Sequence, residues 1–81
     1  MSEPDQTSPD CELDLRGFLC PLPVLKTRKA LEVLTHGALV RVLVTDPAAR
    51  IDMPHYCNGA GHTLVETRME GATLIFLIRK G

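Results

Sequence analysis

The sequence predicts an α/β two-layer sandwich of order β-α-β-α-β-β, in which two helices cover one face of a four-stranded mixed sheet. Three patterns predict it. Residues 38–45 place Val40, Val42 and Val44 on one side and Leu39, Arg41, Leu43 and Thr45 on the other, the alternation of a central strand. After Pro21, Val24, Thr27, Leu31 and Leu34 recur at spacings of three and four, the stripe of an amphipathic helix. Residues 62–69 and 72–79 are separated only by Glu70-Gly71, a connection short enough to make them an antiparallel hairpin. Two layers are the ceiling for a chain of 81 residues, which sits near the lower size limit for an unstapled core.

Taken in order, residues 1–10 carry Pro4 and Pro9 among small and acidic residues without apolar periodicity and are expected to form a disordered acidic tail. Residues 11–81 form the single domain. Cys11, Leu13 and Leu15 alternate with Glu12 and Asp14 as a short, half-buried strand, with Cys11 an inward or edge-facing apolar residue. The first helix runs from Pro21 to about Thr35 and stops at Gly37. Ala30 joins its core stripe, while Leu22, Leu25 and Val33 fall on the opposite side among Lys26, Lys29 and His36. That apolar and basic face is either a docking surface or a surface packed against the tail or a loop.

Strand, helix and strand then form a parallel crossover. Asp46-Pro47 offers a cap and a first helical residue. Because Pro54 is poorly placed in a continuous helix, the second helix is expected in two pieces, a first turn over 48–51 and a restart capped by Asp52, ending at Gly59 and Gly61.

The candidate nucleophile is Cys20. Pro is favoured at the first position of a helix, which makes Cys20 the expected N-cap ahead of Pro21. A thiol there lies beside the positive end of the helix dipole, so its pKa is expected to fall moderately. Pro21 and Pro23 leave the N–H groups of Leu22 and Val24 to face the sulfur. With Pro23 where a dithiol motif has its second cysteine, Cys20 has no local disulfide partner. Such a lone thiolate suits loading and handing on a group at sulfur rather than exchange within one motif.

Other classes fit less well. The three cysteines match neither paired zinc spacing nor a disulfide framework, and no secretory leader precedes them, so a reduced, cytoplasmic protein is expected. No apolar run approaches the roughly 18 residues of a membrane span. The net charge of −1 conceals an asymmetry: Glu3, Asp5, Asp10, Glu12 and Asp14 precede any Lys or Arg, and the remainder carries nine positive and five negative charges. This modest basicity does not choose a partner. His55 and His62 lack a ligand spacing with Cys57 and are read as cap or turn residues. No metal and no cofactor is expected.

Cys20-Pro21-Leu22-Pro23, preceded by Leu13-Asp14-Leu15-Arg16-Gly17, resembles the CPxP motif and L-D-x-x-G approach of the TusA/SirA-like sulfur carrier proteins. The likeness continues through Pro23-Val24, Arg28-Lys29-Ala30-Leu31, Asp46-Pro47, Pro54, Cys57, Gly61-His62 and Leu77-Ile78-Arg79-Lys80, from about residue 12 to the end. The resemblance implies a sulfurtransferase in which Cys20 carries a persulfide. Its implied partners are a protein donor, a cysteine desulfurase or rhodanese-like enzyme, and a protein acceptor in tRNA thiolation, cofactor sulfuration or sulfur oxidation. Asp14, Arg16 and Gly17 are read as positioning the turn before the helix, Arg28 and Lys29 as candidate partner contacts, and Cys57 as a packed, unreactive thiol. An RNA-binding module is the weaker alternative, because Phe18, Tyr56 and Phe76 are the only aromatics and form no stacking surface. A thiol-dependent regulatory module is the third reading.

Overall fold

The computed structural model describes residues 9–81; the tail expected over residues 1–10 lies largely outside the described residues. Its last residue, Asp10, is held at the sheet edge. The backbone N–H of Asp10 donates to the Leu39 carbonyl (2.6 Å) and its carboxylate accepts from the Leu39 N–H (2.8 Å).

The elements are β1 (Cys11–Asp14), α1 (Leu22–Glu32), β2 (Leu39–Val44), α2 (Ala49–Ala60), β3 (Thr63–Glu70) and β4 (Thr73–Arg79). The sheet order is β1-β2-β4-β3. β1 pairs with β2 in parallel, and β2–β4 and β4–β3 are antiparallel, which is the mixed sheet the sequence predicts. Cross-strand partners Val40 and Ile78, Val42 and Phe76, and Val44 and Leu74 share one face. They form a single core with Leu31 of α1 and Ala49, Met53 and Cys57 of α2, so both helices cover that face. On the opposite face Arg41 lies across from Leu77 and Arg68 across from Ile75, ringed by ion pairs from Arg41 to Glu12 and from Arg68 to Glu66 and Glu70.

Three local expectations are corrected. α2 is one helix through Pro54. Proline at the sixth position removes only the bond to the carbonyl of Arg50, an exposed residue, and the turn before it is already closed by N–H bonds from Ile51 and Asp52 to the Ala48 carbonyl. Helix α1 ends at Glu32 instead of about Thr35. The hairpin loop is Gly71–Ala72, one residue beyond Glu70-Gly71, because Glu70 still pairs with Thr73. Gly71 there adopts φ +60, as the first position of a two-residue hairpin turn requires.

The helical stripe is placed as expected, with Thr27 and Leu31 buried and Val24, Ala30 and Leu34 half-buried. Thr27 carries a buried hydroxyl with no hydrogen-bond partner. An unsatisfied buried hydroxyl is costly, and valine has the same branched shape without it. Thr27→Val is therefore expected to stabilise the fold by about 1 kcal/mol and to raise the melting temperature by roughly 4–8 °C. An unchanged or lower melting temperature would show that the hydroxyl is satisfied.

Candidate functional site

Parallel pairing of β1 and β2 puts the ends of both strands at one edge of the sheet, and the connections that follow them meet there. After β1, Leu15 buries its side chain and donates its N–H to the Leu43 carbonyl at 2.8 Å. Arg16 turns back onto Asp14, with Nε to Oδ1 at 2.8 Å and Nη2 to Oδ2 at 2.7 Å. These bonds, together with the Arg16 N–H, hold the Asp14 carboxyl down at about 2. Gly17 then takes φ +90, a left-handed conformation suited to glycine, and donates its N–H to Thr45 Oγ1 at 2.9 Å. Asp14, Arg16 and Gly17 thus form the turn that carries the chain to Cys20.

Cys20 is exposed but is not the N-cap of α1. That position is Pro21, whose carbonyl accepts from the Leu25 N–H at 3.2 Å, and Pro23 lies in the first turn. The Cys20–Pro21 peptide is cis. Instead of turning to the free N–H groups of α1, Cys20 faces the opposite connection. Its backbone N–H donates to Asp46 Oδ2 at 2.6 Å, and its thiol donates to Asp52 Oδ2 at 3.2 Å.

The electrostatics are consequently the reverse of the sequence expectation. The hydrogen bond to Asp52 raises the thiol pKa, reinforced by partial desolvation and by the negative charges of Asp52 and Asp46. A carboxylate accepting the thiol proton favours the neutral form, and negative charge nearby disfavours a thiolate.

Asp46 and Asp52 are the site residues that sequence reasoning missed, both having been read only as helix caps. The signal was available in the topology, since two parallel neighbours must bring their following loops together. Asp46 does support the entry to α2, accepting the Ala48 N–H at Oδ1 (3.1 Å) while its carbonyl accepts from Ala49 (3.1 Å). One carboxylate thereby ties the two connections together. Asp46→Ala is expected to cost about 1–2 kcal/mol in urea denaturation, and an unchanged midpoint would mean that neither bond contributes.

The other residues singled out from sequence lie elsewhere. Cys57 is 1% exposed, and burial pushes its thiol up to about 11. Cys11 is half-buried in β1. His62 accepts the Gly81 N–H at Nδ1 (3.0 Å) beside the Tyr56 ring, whereas His55 is exposed. Arg28 pairs with Glu32 at 3.6 Å. Around Cys20, Phe18, Leu19, Leu22 and Leu25 are exposed, Leu19 by 66%, and Lys26 Nζ sits 4.6 Å from the centre of the Phe18 ring. Val33, the C-cap of α1, is also exposed, so this face does not pack against another described element. Among the described residues no helix is long and apolar enough to cross a membrane.

The profile of the family described as Sulfurtransferase TusA matches residues 11–80. The chain belongs to the TusA family. It is 41% identical over 81 residues to a sulfur carrier protein TusA from Pseudomonas syringae pv. syringae, covering 99% of this chain and 96% of that one. A sulfur carrier protein TusA from Pseudomonas aeruginosa is 41% identical over 73 residues, covering 90% and 92% of the two chains. The crystal structure of a SirA-like protein from Desulfitobacterium hafniense superposes with a TM-score of 0.76 at 29% identity, covering 88% of this chain and 97% of that one. The TusA profile begins at the first residue of β1 and ends one residue beyond β4. It therefore takes in the full sheet together with the Cys20 turn.

Proposed function

We propose that this TusA-family protein is a sulfur carrier in which Cys20 accepts sulfane sulfur as a persulfide and passes it to an acceptor protein. The observation that carries this reading is that Cys20, the cysteine of the CPxP segment, is the exposed thiol of the chain, while Cys57 is buried and Cys11 half-buried. The carrier unit is residues 11–81, working in the cytoplasm.

In loading, Cys20 sulfur attacks the terminal sulfur of a donor persulfide. A new S–S bond forms at Cys20, the donor's S–S bond breaks, and the proton released by Cys20 goes to the departing donor thiolate. One thiol and one persulfide are consumed and one of each is formed, so no external oxidant or reductant is needed. Unloading repeats the exchange with an acceptor cysteine attacking the outer sulfur. A cysteine desulfurase or rhodanese-like enzyme fits the donor role, with tRNA thiolation, cofactor sulfuration or sulfur oxidation downstream. The exposed apolar residues Phe18, Leu19, Leu22 and Leu25 around the thiol support a protein partner rather than a small-molecule pocket.

The test is intact-protein mass spectrometry after incubation with polysulfide, and separately with a cysteine desulfurase and cysteine. A reductant-sensitive gain of about 32 Da, one sulfur, in the parent and not in Cys20→Ser is the expected result. A gain retained in the variant, or none in the parent under either condition, would overturn the proposal and leave the thiol-dependent regulatory reading.

A further inference from the structure

A sulfur-accepting cysteine is ordinarily activated by a nearby cation, a histidine or a helix N-terminus that stabilises its thiolate. Cys20 has none of these against its sulfur. The cleft beside it, about 10 Å³ and room for about one water, is lined by Pro21, Pro23, Val24, Ala49, Asp46 and Asp52. From α1 it receives only apolar groups, from the β2–α2 connection the Asp46 carboxylate, and from α2 the Asp52 carboxylate. No Lys, Arg or His lines it. Lys26, on the exposed face of α1, is engaged with the Phe18 ring.

The two carboxylates are placed by different needs. Asp46 is occupied by backbone, holding Cys20 N–H on one oxygen and Ala48 N–H on the other. Asp52 lies in the first turn of α2, half-buried, and the bond it accepts from the Cys20 thiol is the contact that addresses the reacting atom. We propose that Asp52 is a positioning residue that holds unloaded Cys20 as a hydrogen-bonded thiol and keeps its thiolate scarce in the free carrier. This rests on the reading of Cys20 as the carrier site and adds a control on it. Small electrophiles and oxidants act on thiolate, so the bond to Asp52 slows their reaction with the free protein, polysulfide included, without preventing it.

The test is the pH dependence of Cys20 alkylation by iodoacetamide, resolved by peptide mass, in the parent, Asp52→Asn and Asp52→Glu. Asparagine removes the charge and can donate an N–H to sulfur, so its profile is expected to move to lower pH. Because nucleophilicity falls as acidity rises, each tenfold gain in thiolate nets only about a threefold gain in rate; roughly a threefold rise at about pH 7 is therefore the expected size. Asp52→Glu keeps the carboxylate and is expected to follow the parent. An asparagine profile that coincides with the parent's or moves to higher pH would overturn the proposal, as would a glutamate profile that follows asparagine's.

A second readout does not depend on the Asp52 variants folding. The ultraviolet thiolate absorbance of the parent minus that of Cys20→Ser is expected to reach half-ionisation at higher pH than a blocked cysteine, and a lower midpoint overturns the proposal. Polysulfide loading of the same samples separates the two ideas. Alkylation that responds to Asp52 without a persulfide on Cys20 removes the carrier reading and keeps the Asp52 role; persulfide without that response removes only the Asp52 role.

Discussion

Cys20→Ala is expected to abolish sulfur loading from both polysulfide and a protein donor while leaving the fold intact. The physical case has two halves. On the stability side, Cys20 is exposed and its sulfur makes one hydrogen bond, to Asp52. Alanine retains the backbone N–H that bonds Asp46. Exposed substitutions of this kind usually stay within about 0.5 kcal/mol, a shift of a few degrees at most for a domain this small. On the activity side, the proposed carrier role makes the loss complete, because Cys20 is the exposed thiol of the three. Cys57 is sealed under α2 in the core, and Cys11 is half-buried in β1. Thermal melting and persulfide mass measured on one preparation check both halves. A variant that still gains sulfur would move the carrier site elsewhere, and one that unfolds would make Cys20 structural.

That contrast between intact fold and missing chemistry mirrors what the sequence could convey. The sheet was legible because β2 is periodic, so that Val40, Val42 and Val44 can be assigned to the core by counting, and because β4 is a continuous apolar run from Leu74 to Ile78, every residue of which is buried. Cys20 was legible from its position in Cys20-Pro21-Leu22-Pro23 and from the family likeness. Its environment was not, because capping rules weigh neighbours in sequence. They set Cys20 against the N–H groups of α1, whereas Asp46 and Asp52, 26 and 32 residues further on, reach it first. The same locality misjudged Pro54. Its missing N–H was counted as a break, although the lost bond falls at Arg50, an exposed residue, and Met53 and Cys57 pin the helix to the core on either side. In both cases tertiary contacts overrode a correct local preference.

Between about pH 9 and 11 the parent is expected to lose about 3 kcal/mol of stability that Cys57→Ala does not lose. In the folded chain burial holds the Cys57 thiol up to about 11, against an ordinary value of 9.0. The unfolded chain exposes the thiol and ionises near the ordinary value. Below that value both states keep the proton, and the contribution of Cys57 is fully present. As pH rises, the unfolded state sheds its proton first and is favoured by about 1.4 kcal/mol per pH unit until the folded thiol ionises too. Alanine forfeits some packing, a cost of about 1 kcal/mol that does not vary with pH. The two stability curves should therefore cross, the parent being more stable near neutrality and the variant more stable in strong alkali. The two proteins differ only at residue 57, so the difference between urea-denaturation free energies isolates Cys57. Parallel curves would mean that the Cys57 thiol is hydrated in the fold, and a hydrated Cys57 would be open to the polysulfide chemistry assigned to Cys20. Crossing curves would instead show that Cys57 is kept neutral by the core, a role distinct from that of the exposed Cys20, whose thiol bonds the Asp52 carboxylate.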